Sequence, residues 1–247
     1  GISGVSGDIV METHTSSHGD SGLYSLTTGD ATSGKAGTIA FTVGSGNSGQ
    51  GGHIMISAGE TTDTESGGSI TVATGYSTRT SSGSYRLSTP NAGLAGVSGS
   101  IHVTTGTASA GDTGSMDFVT GDATQGKAGD IRLQVGTGNK GPGGAVTIQA
   151  GETTDDQSVG GPITITAGPG TNADSTDGGD GGSIIITAGA ARGGHEYDNG
   201  GDIAVGGGEA SSGSGGSISL TTGYGIATSS GSMALSTANA GVSGVSG

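Results

Sequence analysis

Two nine-residue stretches, GDATSGKAG at 29–37 and GDATQGKAG at 121–129, come close to the loop that cradles nucleotide phosphates. That loop reads G-x-x-x-x-G-K followed by Ser or Thr. Its glycine-rich backbone wraps the phosphates, its lysine neutralises them, and its hydroxyl binds Mg²⁺. Here Ala36 and Ala128 stand where the hydroxyl is needed. The loop must also open a helix whose N-terminus faces the phosphates. TIAFTVG and DIRLQVG follow instead, and both alternate as strands do. Both stretches therefore read as turns of a repeat.

A second cluster has metal-binding chemistry. The stretches GTNADSTDGGDGG (170–182) and ARGGHEYDNGG (191–201) carry Asp174, Asp177, Asp180, His195, Glu196 and Asp198. Crowded hard oxygen ligands suit Ca²⁺, so these six are the candidate metal ligands and Ca²⁺ the one candidate cofactor. The Ca²⁺-binding nonapeptide G-G-x-G-x-D is matched only in part, since the motif is not repeated and its spacing differs. Glu60, Asp63, Glu152 and Asp155 recur on separate turns and read as solvated surface. His14 and His18 have no partner at catalytic spacing. No catalytic triad or zinc motif stands out, and an enzyme is not expected.

The elements that would position these residues follow from a period. A unit Gly-x-Φ-x-Φ-x-[Thr/Val/Ala]-Gly, with Φ apolar, occurs as GTIAFTVG (37–44), GHIMISAG (52–59), GSITVATG (68–75), GSIIITAG (182–189) and other copies, fifteen in all. The first Φ positions run Ile9, Tyr24, Ile39, Ile54, Ile70, Tyr85, Ile101, Met116, Ile131, Val146, Ile163, Ile184, Ile203, Ile218 and Met233, mostly fifteen residues apart. Alternation with a period of two is the strand signature. The expected fold is all-β: an elongated parallel β-solenoid of about fifteen coils with a ~15-residue period. Two apolar side chains per coil would fill a thin core, with Gly, Ser, Thr and Ala forming the opposite wall. A polyproline-II bundle, the rival for a glycine-rich chain, requires a period of three and no such alternation.

A longer period lies above the first. GISGVSG (1–7), GLAGVSG (93–99) and GVSGVSG (241–247) mark two super-repeats, 1–92 with six coils and 93–247 with nine, within a single solenoid domain. The second copy carries three extra coils, those of Ile163, Ile184 and Ile203, as one-dimensional stacks tolerate.

Composition narrows the function. The 247 residues include 58 Gly, and 21 acidic against 7 basic residues give a net charge of −14. A nucleic-acid binder needs a basic face, so nucleic acid is not an expected partner. No apolar run is long enough to span a membrane. Without cysteine there are no disulfides or thiolate metal sites. The absence of a starting Met and of a signal peptide leads to the expectation of a mature or partial chain. No capping segment guards either end, which leads to the expectation of a longer chain or of end-to-end stacking into a filament.

Flat Thr-x-Thr ladders would point to ice binding, but the outward strand positions include Arg86, His102, Asp117 and Arg132, and only Thr164 and Thr166 form a full Thr pair among those compared. Ice binding is accordingly the third reading.

Units such as GSITVATG and GSIHVTTG, with their Gly/Ser/Thr-rich connections, resemble the repeat regions of large secreted solenoid proteins, found in microbial adhesins and microalgal surface proteins. The resemblance implies an extracellular or cell-surface location and a structural or adhesive role, with no catalytic residues to carry over. The leading expectation is the rod of an extracellular filament, self-associating end to end, with O-linked glycans as a further shield. The alternative is an adhesin stalk binding Ca²⁺ or surface carbohydrate at 170–201.

Overall fold

The structure, a computed structural model, describes residues 6–241, 244, 245 and 247. Among them there is no helix and no β-strand; extended and bent coil accounts for the chain. The expected all-β parallel solenoid is therefore not the fold, and the described residues form no thin apolar core. No described residue is buried, and the least exposed large hydrophobic, Val135, still shows 42% of its surface. The chain exposes 24698 Å². A folded protein of this mass would expose about 9,700 Å² and its extended chain about 33,000 Å².

The register of contacts shows how the chain departs from stacked coils. A Cβ placed on Gly22 would stand 3.5 Å from Thr13 Cγ2, and just beyond this pair the Tyr24 hydroxyl donates to Met11 Sδ at 3.6 Å. One partner steps back by two residues while the other steps forward by two. The same nesting recurs where Gly52 meets Val43 and Phe41 shares a cleft with Ile54. Nested pairs are the mark of a chain that reverses on itself. Parallel coils would instead join residues about fifteen apart, with both partners advancing together.

Seven of the reversals are loops with a neck closed by a backbone bond. The amide of the glycine opening one unit donates to the carbonyl of the glycine ending the previous unit: Gly68 to Gly59, Gly83 to Gly75, Gly161 to Gly151, Gly182 to Gly168, Gly201 to Gly189, Gly216 to Gly208 and Gly231 to Gly223, all at 2.9 Å. The residue just before the ending glycine lies against the opening one. Among the described residues only seven are as much as half-buried, and five of them, Thr120, Ala150, Ala167, Ala188 and Thr222, occupy this neck position. Cover is found at the necks and not at the Φ positions.

Glycine is required there by space. A Cβ on Gly52 would come within 2.7 Å of Val43 Cγ1, and one on Gly144 within 2.8 Å of Val135 Cγ1. At Gly96 and Gly111, with φ of 127° and 119°, the requirement is conformational.

Beyond these seven necks, only four backbone–backbone hydrogen bonds join the described residues, each within a loop or turn. Eleven backbone–backbone hydrogen bonds join the described residues, where a packed domain of this length would have on the order of 160. The physical reason lies in the composition. Alternation decides which side chains share a face but supplies nothing to cover that face. Two apolar side chains per unit do not offset the entropy of ordering the glycine-rich remainder.

By internal contacts the chain divides into two units, Gly1–Phe118 and Val119–Gly247. The division falls inside the eighth Φ segment, GSMDFVTG (114–121). Two of the bonded necks lie in the first unit and five in the second.

Candidate functional site

The two phosphate-loop lookalikes are neck loops. Bends at 32–34 and 124–126 turn the chain, and no helix follows either one. In the first, Thr28 Oγ1 donates to Gly37 O at 3.4 Å across the neck. In the second, Lys127 Nζ pairs with Asp130 Oδ1 at 2.7 Å, with both side chains more than three-quarters exposed. A lysine engaged three residues along its own chain, in water, stabilises little and presents no cradle.

The six candidate metal ligands lie in the two longest loops, and all are exposed. In the loop closed by Gly168 and Gly182, the Asn172 and Asp174 side chains form consecutive Asx turns. Asn172 Oδ1 accepts from the Asp174 amide at 3.0 Å, and Asp174 Oδ1 accepts from the amides of Thr176 at 2.7 Å and Asp177 at 3.3 Å. Short polar side chains that hydrogen-bond to the backbone two or three residues on are the usual fasteners of such turns. Asp180 contributes its backbone instead, its carbonyl lying 2.5 Å from where a Gly170 Cβ would be.

The loop closed by Gly189 and Gly201 is fastened in the same way. Asp198 Oδ2 accepts from the His195 amide at 2.9 Å, and the Asp198 amide donates to His195 O at 3.0 Å. The carboxylate rests against Gly193, where a Cβ would clash with it. The Tyr197 amide donates to His195 Nδ1 at 3.4 Å, and the two rings stand 5.2 Å apart. Glu196 and Asp177 contribute no side-chain hydrogen bond to either turn among the described residues. The Asp174 and Asp198 carboxylates thus fasten their own loops, and no group of three His, Asp or Glu among the described residues is placed to hold a metal ion.

The acidity of Asp174 is perturbed. The Thr176 amide, then the Asp177 amide, hold its carboxyl below the usual aspartate range, with a small contribution from the Thr176 hydroxyl; slight desolvation acts the other way. A depressed folded-state pKa contributes order above the ordinary aspartate value, and that contribution is lost as pH falls through the depressed value. The Thr176 and Asp177 amide resonances should therefore titrate together with a midpoint below about 3.9, and Asp174→Asn should abolish the transition. A midpoint at the ordinary value would count against the turn.

Two concavities open on the described surface. One, of about 230 Å³, is lined by Glu12, Thr13, His14 and Thr15. The other, of about 370 Å³, is lined by Phe41, Ile54, Met55 and Ile56 and is almost wholly apolar. Sequence reasoning placed carboxylates in the long loops but missed what they do there. The signal was available in Asn172-x-Asp174 and in Gly193 ahead of Asp198, both of which are turn chemistry. No helix among the described residues is long and apolar enough to cross a membrane. No protein family, curated protein or solved structure matches this chain.

Proposed function

We propose that this chain is a structural repeat protein of an extracellular assembly, and that its strand-patterned segments gain cover from further copies of itself. One observation carries this reading: the Φ side chains of repeat after repeat are left exposed, while seven of the loops between them are closed by a backbone bond. A receptor or an enzyme would invest its order in one site. Here order is repeated at several necks along the chain, as a material requires.

The neck-closed loops act as spacers between successive Φ segments, most of which lie fifteen residues apart, so two copies share one apolar pattern. The charge of −14 opposes their approach and keeps the free chain soluble. The resemblance of the units to the repeat regions of secreted surface proteins supports an extracellular setting.

Sedimentation velocity, with electron microscopy of the same samples, tests the reading. The chain should be monomeric near 1 µM and form large ordered species near 100 µM, the range over which exposed apolar segments associate. Salt should lower that threshold, because screening shortens from about 8 Å to about 3 Å between physiological and molar ionic strength. A chain that stays monomeric throughout, in both salts, is not an assembling material.

A further inference from the structure

Three segments carry three consecutive large apolar residues: Ile9-Val10-Met11, Ile54-Met55-Ile56 and Ile184-Ile185-Ile186. In a unit where Φ alternates with polar residues, an extended backbone has one apolar face. In these three it has two. The isoleucines of the third segment expose 52%, 84% and 71% of their surface.

The three differ in what brackets them. Asp8 and Glu12 flank the first, and His53 precedes the second. Ser183 and Thr187 flank the third, and its nearest ionisable neighbours are Asp180 and Arg192. The segment is fixed at both ends, by Gly182 N to Gly168 O and by Gly201 N to Gly189 O. Between these necks, none of the backbone–backbone hydrogen bonds among described residues involves 183–188. Its row of amides and carbonyls is thus held extended and free to pair.

We infer that Ser183–Thr187 is the nucleating strand of self-association, pairing with the same segment of a second copy. The inference rests on the structural reading above and names the residues that begin it. The occupant follows from charge and shape. Pairing a segment with its own copy sets each residue near its like, and like charges opposed across strands are destabilising. Of the three two-faced segments, only this one has no ionisable residue within it or directly beside it, so that cost is absent here. Uncharged, β-branched segments of this length without Pro or Gly are those that interdigitate with their own copies in dry, two-sided contacts.

The area sets the limit of the role. A five-residue strand covers on the order of a few hundred Å², well under the ~800 Å² per partner of a stable complex. Ser183–Thr187 therefore starts association, and the adjoining segments with Ile163, Ile165, Ile203 and Val205 extend it.

The test compares the full chain with two single variants, each adding one lysine at the same place in a unit: Ile185→Lys, and Thr71→Lys in GSITVATG. Both change the net charge equally, so added charge alone cannot account for a difference between them. By sedimentation velocity, Ile185→Lys should raise the concentration of half-association at least about tenfold, and Thr71→Lys less than about twofold. Association of the wild type with equal effects of the two variants overturns the nucleating role while leaving the structural reading intact. A wild type that remains monomeric overturns both. Ile185→Leu should behave as wild type, because it keeps the apolar face without adding charge.

Discussion

Trypsin should cut the free chain at all seven of its basic residues, Lys35, Arg79, Arg86, Lys127, Arg132, Lys140 and Arg192, at rates within about tenfold of a denatured chain. Each of these residues is exposed, and none lies in a helix or strand. In a cooperatively folded domain, cleavage waits on an unfolded fraction of about 10⁻³ to 10⁻⁶. The expected difference from a folded solenoid is thus a thousandfold or more. Mass spectrometry of a time course below the association threshold reads it directly. A site resisting by about a thousandfold would show packed structure where the chain is open. Above the threshold, Arg192 should become the most protected bond, since it lies closest to the nucleating strand.

The second large effect concerns a single glycine. In Gly170→Ala the new methyl would overlap the backbone carbonyl of Gly179 and stand 2.5 Å from Asp180 O. Carbonyls of a turn cannot swing aside as a side-chain tip can, so the loop must open. Two bonds would be lost, Gly179 N to Asn172 O at 3.0 Å and Gly182 N to Gly168 O at 2.9 Å. A net hydrogen bond is worth about 1 kcal/mol, which corresponds to about fivefold slowing of amide exchange. Exchange at Gly179 and Gly182 should therefore rise about fivefold in the variant. Gly181→Ala, where a Cβ would meet nothing within 4 Å, is the matched control and should leave both amides unchanged. Equal exchange in the two variants would mean that the neck does not depend on the space at Gly170.

How much of this could be read from residues alone varies by level. The unit, its Gly boundaries and the turn character of GDATSGKAG and GDATQGKAG are all carried by local chemistry, and the chain does turn at those places. The parallel solenoid was not legible, because Φ-x-Φ alternation is equally compatible with stacked coils and with segments that reverse and stay uncovered. Gly52 and Gly144 decide between the two. Read as corners, they license a stack; placed against Val43 and Val135, they close a loop nine residues long in the opposite sense. The acidic loops show the same division. Asp174 and Asp198 were visible as carboxylates, but whether they face a common centre or their own backbone depends on which amide lies two or three residues on.

The necks also bear on how such a chain changes over time. Gly75 and Gly83 are eight residues apart and Gly168 and Gly182 fourteen, yet both pairs close with a bond of 2.9 Å. Closing the longer loop costs only about 0.5 kcal/mol more in chain entropy. Residues between two neck glycines can thus be added or replaced without shifting the segments on either side. The chain behaves as a fixed-interval backbone with interchangeable inserts, open to lineage-specific variation and to the grafting of foreign peptides at the tips of 169–181 and 190–200.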